Sequence, residues 1–258
     1  MKLSLKNRLL LATVASTLLV AITFWVAQRF ALSQQMEQKL QTNVGYTQAL
    51  WSAVSGARFD SMEAQTQGLT RNRDVIKALK SGDAAKLAEA ARPTFHRINA
   101  GGAIDGMQIT NLAGDVLLSE GRTSDAGMAK LVAKDLKVLR RVVIDSQGQP
   151  ALALGFPLYS RGKAKGVATY LLGLKPTADQ IAANAGAAAT ILSVDGVPAY
   201  SSDPERTADV DWAGLPHDRA HWQMVRSGDT TFATTLIPLH NEGESALALL
   251  ALQRDFTG

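Results

Sequence analysis

Ile109-Thr110-Asn111-Leu112-Ala113-Gly114-Asp115-Val116 is answered further along the chain by Ile191-Leu192-Ser193-Val194-Asp195-Gly196-Val197-Pro198. In each, an apolar run meets a short turn containing glycine, which predicts two strands joined by a tight connection. A second pair follows in the same order: Phe156-Pro157-Leu158-Tyr159-Ser160-Arg161-Gly162-Lys163 and Ile237-Pro238-Leu239-His240-Asn241-Glu242-Gly243-Glu244. The offsets are 82 and 81 residues. Two matches in one order at one spacing point to a duplicated unit.

Short apolar runs surround these matches. The first set is Asp105–Thr110, Val116–Ser119, Arg140–Asp145, Ala151–Tyr159 and Lys165–Leu174. The second set is Ala188–Val194, Pro198–Ser201, Ala220–Arg226, Thr230–Leu239 and Ser245–Gln253. Between them, Pro176 opens a helix at its first turn. The expected fold class is α+β: two tandem antiparallel modules, each of about five strands with helices on one side.

Upstream of the strands the period changes. Leu9 to Ala27, LLLATVASTLLVAITFWVA, carries no charge. At about 1.5 Å per residue it spans about 28 Å, the thickness of a bilayer's hydrocarbon core. Lys2, Lys6 and Arg8 precede it, which places the amino terminus in the cytoplasm and the rest outside. A cleaved signal peptide is the rival reading, but the stretch is long and its exit, Phe24-Trp25, is bulky. From Phe30 to Thr70 there is no proline, and apolar residues recur mostly every three or four positions, so one long helix is expected, bent at a glycine if anywhere. Asp83 is an expected N-cap for a helix that Pro93 ends or restarts and Gly101-Gly102 terminates. The expected divisions are 1–8 cytoplasmic, 9–27 transmembrane, 28–72 stalk, 73–175 membrane-distal module and 176–258 membrane-proximal module.

Composition removes several function classes. With 46% hydrophobic and 19% charged residues, the 258-residue chain is not disordered as its main state. Without cysteine there is no disulfide framework, thiolate zinc site or cysteine nucleophile. A net charge of +4 without a basic cluster gives no nucleic-acid face. Nucleotide-loop, zinc-protease and serine-hydrolase motifs are missing from the sequence. His217 and His221 stand four apart, but Gly214 and Pro216 argue against the helix that would pair them on a metal. Asp203, Glu205, Asp209, Asp211 and Asp218 read as a solvated acidic loop. Neither an enzymatic activity nor a cofactor is expected.

The anchor, the long helix and the two modules resemble the double-Cache, extracellular PAS-like sensory regions of bacterial transmembrane receptors such as methyl-accepting chemotaxis proteins. The local likeness runs from Lys86 to Leu174, through Arg92-Pro93-Thr94-Phe95, Gly106-Met107-Gln108-Ile109 and Ala151-Leu152-Ala153-Leu154-Gly155-Phe156-Pro157-Leu158. The closing Ala251–Thr257 is similar to the exit toward a second membrane helix in such receptors. The segment Ser119–Asp125 is shorter than the Arg- and Asp-rich loop of many relatives, and the amino-acid-binding motif of one double-Cache group is not found. The resemblance implies the extracytoplasmic sensing part of an inner-membrane signal transducer, a chemoreceptor first, with the sensor of a histidine kinase or diguanylate cyclase as the alternative. It implies that the chain is part of a longer receptor or acts through a partner. A periplasmic binding or scaffold protein without an output domain is the reading from a different class. Implied partners are a small-molecule ligand, the membrane and a second copy of the chain.

Binding chemistry is sought among polar residues set in apolar strands. The candidates in the first module are Gln108, Arg140, Arg141, Tyr159 and Tyr170, with Arg122 in the covering loop. Arg140 and Arg141 point to opposite faces of a strand, so one of them at most faces a pocket. An inward arginine suits a carboxylate or phosphate through paired hydrogen bonds. Trp222, Arg226 and Tyr200 are the counterparts in the second module, which is expected to be the poorer ligand site.

Overall fold

The computed structural model describes residues 5–228 and 230–255, without the side chains of residues 5–16, 19, 32, 36, 37 and 40. The chain opens on four helices, α1 (Leu5–Ala64), α2 (Gln67–Thr70), α3 (Arg73–Ser81) and α4 (Ala84–Ala100). The long helix continues through Gly45 and Gly56 and breaks at Gln65-Thr66, eight residues before the expected end of the stalk. Asn72 caps α3, its Oδ1 accepting from the Asp74 and Val75 amides at 3.0 and 3.2 Å. Gly82 closes that helix at φ +68°. Asp83 caps α4 through the Lys86 amide, as expected.

Pro93 does not end α4; it lies inside it. Proline within a helix costs about 3 kcal/mol. Leu87 and Ala91 before it and Phe95 and Ile98 after it form one buried stripe. Each large side chain in that stripe contributes about 1.5–3 kcal/mol, so packing outweighs the lost hydrogen bond.

The first sheet contains β1 (Gly106–Asn111), β2 (Val116–Gly121), β3 (Leu139–Ile144), β4 (Pro150–Ser160) and β5 (Lys163–Gly173), in the spatial order β2-β1-β5-β4-β3. A short helix, α5 (Gly127–Asp135), connects β2 to β3, and α6 (Lys175–Ala185) leads out of the sheet. The second sheet contains β6 (Ala188–Leu192), β7 (Pro198–Ser201), β8 (His221–Ser227), β9 (Thr230–Leu239) and β10 (Ala248–Asp255), with α7 (Pro204–Thr207) between β7 and β8. Its order is β7-β6-β10-β9-β8, the first sheet's order repeated.

The repeat extends to single hydrogen bonds. The Asn111 amide donates to the Asp115 carbonyl and Gly114 to Asn111; 82 positions later Ser193 donates to Val197 and Gly196 to Ser193. The register slips between Ile109 and Thr110 in one hairpin and between Ile191 and Leu192 in the other. Gly114 and Gly196 hold φ of +95° and +79°, which explains glycine at both.

Each sheet packs one face against helices. Met107, Ile109, Leu154, Phe156, Leu158 and Tyr170 meet α2, α3 and α4 in the first module. Ile191, Ile237, Leu239 and Leu250 meet α6 in the second. Helix α1 serves both cores: Met62 is buried in the first and Val54 in the second. The expectation of helices on one side fails for the first sheet, because α5 lies on its other face. Met128, Ala129 and Val132 of α5 supply the apolar spacing that seats it there. Among the described residues no helix is long and apolar enough to cross a membrane. Residues 1–4, with Lys2, and the side chains of residues 9–16 and 19 of the anchor expected at 9–27 lie outside the described residues, as do Phe256 and Thr257.

Candidate ligand-binding site

The face of the first sheet away from α3 and α4 carries Gln108, Thr110, Ala153, Gly155 and Thr169, by the alternation of strand side chains. The β2–β3 segment covers it. Gly155 is the reason α5 can lie so close: a Cβ there would stand 2.6 Å from Val132 Cγ2 and 3.1 Å from Met128 Cε. Gln108 is buried, and its amide clasps Ser124 of the covering segment. Its Nε2 donates to the Ser124 carbonyl at 3.1 Å, and its Oε1 accepts from the Ser124 amide at 3.3 Å. Thr110, two residues along on the same face, is 2% exposed, and its hydroxyl has no partner among the described residues.

Arg122 stands beside this face, but its charge is answered from within the chain. Its Nε donates to Asp105 Oδ2 at 2.9 Å, and Nη1 pairs with Asp145. Asp105 also accepts from the Gly173 amide at 3.0 Å, and Asp145 from the Gln147 and Gln149 amides. The Asp145 side chain is 1% exposed. Together these residues rivet the covering segment to the β3–β4 turn beside a cleft of about 310 Å³. One guanidinium faces two carboxylates there, so the anion sought for Arg122 is already present.

The remaining candidates go elsewhere. Arg140 pairs with Asp60 at 2.8 Å and Glu63 at 2.6 Å on α1 and lies 5.9 Å from the Phe59 ring. Glu63, then Asp60, hold its guanidinium above the ordinary arginine range. Arg141 leaves by the opposite face, as expected for neighbours on a strand, and pairs with Glu244 of the β9–β10 hairpin. At that hairpin Asn241 Oδ1 accepts from the Val142 amide at 2.9 Å and its Nδ2 donates to the Val142 carbonyl at 3.0 Å. The second module thus covers the free edge of β3 with a side-chain amide. Tyr159 is 43% exposed, its hydroxyl donating to Leu136. Tyr170 is wholly buried on the helix-facing side, edge-on to Phe156, and its hydroxyl donates to the Gln65 carbonyl. Burial raises its pKa beyond the ordinary tyrosine range. The structure therefore brings Gln108 and Arg122 to the covering segment and spreads the other four over the core, the stalk helix and the module interface.

In the second module Tyr200 pairs with Asp179 and accepts from Lys175, Trp222 is buried, and Arg226 donates to Gly228. His217 bonds the Trp212 carbonyl and His221 the Gln223 side chain; both lie outside helices. Among the described residues no group of three His, Cys, Asp or Glu stands close enough to hold a metal. Sequence reasoning missed Ser124 and the α5 residues Met128 and Val132. The four-residue spacing of the latter pair was the available signal.

No protein-family model matches the chain, and none of the curated proteins matches it by sequence. Solved structures do match. The periplasmic domain of Vibrio cholerae LuxQ superposes with a TM-score of 0.53 at 15% identity, over 81% of this chain and 97% of that one. The sensor domain of the Vibrio cholerae histidine kinase DctB gives 0.52 at 13%, over 84% and 99%. The ligand-binding domain of the Pseudomonas fluorescens chemoreceptor CtaA, in complex with L-serine, gives 0.50 at 13%, over 85% and 98%. The fold, two five-stranded antiparallel sheets of one strand order in tandem, is similar to that of these sensor domains.

Proposed function

We propose that the chain is the extracytoplasmic ligand-sensing portion of a membrane-anchored signal transducer, with a methyl-accepting chemoreceptor as the leading output. The observation that carries this reading is the burial of one helix in both modules: Val54 and Met62 of α1 belong to separate cores. A change in either module acts on the same rod. Toward its amino end, Leu18, Val20, Ile22, Phe24, Trp25 and Phe30 are each more than half exposed. Lipid is the cover such side chains require, and the uncharged Leu9–Ala27 stretch supplies the matching length.

The ligand site in this reading is the covered face of the first sheet. Helix α5 has no side-chain cap at its amino end, and Leu136 ends it at φ +52°. A short helix with weak ends is a low-stability element and a natural lid. Gln108 and the unpartnered Thr110 hydroxyl are the groups a small polar ligand would meet beneath it, and Arg122 positions the covering segment. Ligand biases signalling by its difference in affinity for the lifted and seated arrangements. Arg140, held by Asp60 and Glu63, passes the displacement of the sheet to α1 as a shift or rotation. Pairing of α1 with a second copy would complete the transmitting unit.

A thermal-shift screen of the purified full chain with organic acids, amino acids, amines and purines tests the site. The reading expects a hit that raises Tm and is lost in Gln108→Leu and weakened in Thr110→Val. A panel without a hit, or a hit indifferent to both substitutions, contradicts it.

A further inference from the structure

The duplication allows the covered faces of the two modules to be compared position by position. In the first sheet one cross-strand row reads Gly106, Leu171, Ala153, Arg141. The corresponding row of the second reads Ala188, Gln253, Thr234, Gln223. Where the first face has an apolar pair packed under Met128, the second has an amide beside a hydroxyl.

Gln253 is 0% exposed, and neither Oε1 nor Nε2 has a partner among the described residues. The Thr234 hydroxyl, directly opposite it, is also buried and unpartnered. So is Nε1 of Trp212, which packs in the apolar cluster on the same face with Leu236, Leu249 and Ala251. Buried amides are almost always hydrogen-bonded, because leaving one unmet forfeits its hydration with no return. Gln253 and Thr234 thus leave several donors and acceptors open in one interior row.

We propose that the covered face of the second sheet is a separate ligand site, centred on Gln253 and Thr234, for a small neutral molecule with a donor–acceptor edge such as a carboxamide or lactam. A primary amide offers one acceptor and two donors side by side, so its natural complement carries an N–H next to a C=O. The neighbouring charge is engaged: Arg206 bonds Asp203 and stacks over Phe232. The sequence reading placed the better site in the first module; for neutral amides the unmet groups favour the second.

Titration of the purified full chain with 2-pyrrolidinone, acetamide and uracil, followed by Tm and tryptophan fluorescence, tests the proposal. At least one probe is expected to bind saturably, about tenfold or more weaker in Gln253→Leu, and equally well in Gln108→Leu, which alters only the first module. Without probe, Gln253→Leu is expected to melt above the wild type, since leucine fills the same place at Leu171. Absence of saturable binding by all three probes, or equal binding by Gln253→Leu, overturns the proposal. A lower Tm for Gln253→Leu without any bound probe means that a structural water alone satisfies the amide, which also overturns it. If Gln253→Leu does not fold, Thr234→Val carries the same comparison, and unchanged probe binding there overturns the proposal.

Discussion

Replacing Gly155 with alanine should loosen α5 without unfolding the sheet. The added Cβ would stand 2.6 Å from Val132 Cγ2 and 3.3 Å from Met128 Cγ. Carbon atoms pack at about 3.5–4.0 Å, so Val132, a stiff β-branched side chain, must retreat by about 1 Å. Overpacking of this kind costs about 1–3 kcal/mol. The backbone at Gly155 lies outside the left-handed region, so alanine returns about 0.4–1 kcal/mol through the unfolded chain. The net destabilisation is about 1–2 kcal/mol. At about 2–4 °C per kcal/mol for a domain of this size, Tm falls by about 2–8 °C. Its location is the sharper test. Helix α5 is tied to the sheet chiefly through Met128, Ala129 and Val132, so hydrogen exchange of the amides of residues 128–134 should accelerate while β4 and β5 stay protected. Unchanged exchange in α5, or equal acceleration throughout the sheet, would refute the account of the glycine and of the lid.

Asn241→Ala removes the amide that meets both backbone groups of Val142 and should cost about 1–2 kcal/mol in chemical denaturation; a neutral result would mean that the hairpin does not hold the β3 edge. Glu244 is held below its ordinary pKa of 4.5 by Arg141 first and Asn241 second. Its contribution is therefore present above about pH 4.5 and lost as pH falls through the depressed value; Arg141→Met should flatten that acid limb of a Tm-against-pH curve. Burial of Tyr170 raises its pKa above 10, so its stabilising effect is present below pH 10 and fades at higher pH. Alkaline titration followed at the phenolate band should show one tyrosine ionising only on unfolding, and Tyr170→Phe should remove that late step.

What the sequence made legible follows from where each signal resides. Turn chemistry is local, so Asn111–Asp115 and Ser193–Val197 announced two hairpins and, by their spacing, a duplication. The caps at Asp83 and Gly101 were readable for the same reason. Pro93 misled because its local preference is overridden by Leu87, Phe95 and Ile98, whose burial depends on the sheet beneath. Helix α5 escaped notice because it starts at glycine without a cap and presents a single narrow stripe. The arginines show the deeper limit. Arg122, Arg140 and Arg141 each suit an anion, but their carboxylate partners lie 17 or more residues away, at Asp105, Asp145, Glu63 and Glu244. Partnering over such distances is decided by topology. Gln253 is the converse: an unremarkable residue until the fold buries it beside Thr234 with nothing to bond.

The central claim is that the two modules stand outside the membrane at the end of one helix. The chain has no cysteine, so any thiol introduced is the sole target of a maleimide. Lys163→Cys places one at the exposed β4–β5 turn, and Asn7→Cys places one ahead of the uncharged stretch. In intact spheroplasts a membrane-impermeant maleimide should label Cys at position 163 fully and Cys at position 7 only after lysis. Protection of position 163 until lysis would contradict the account.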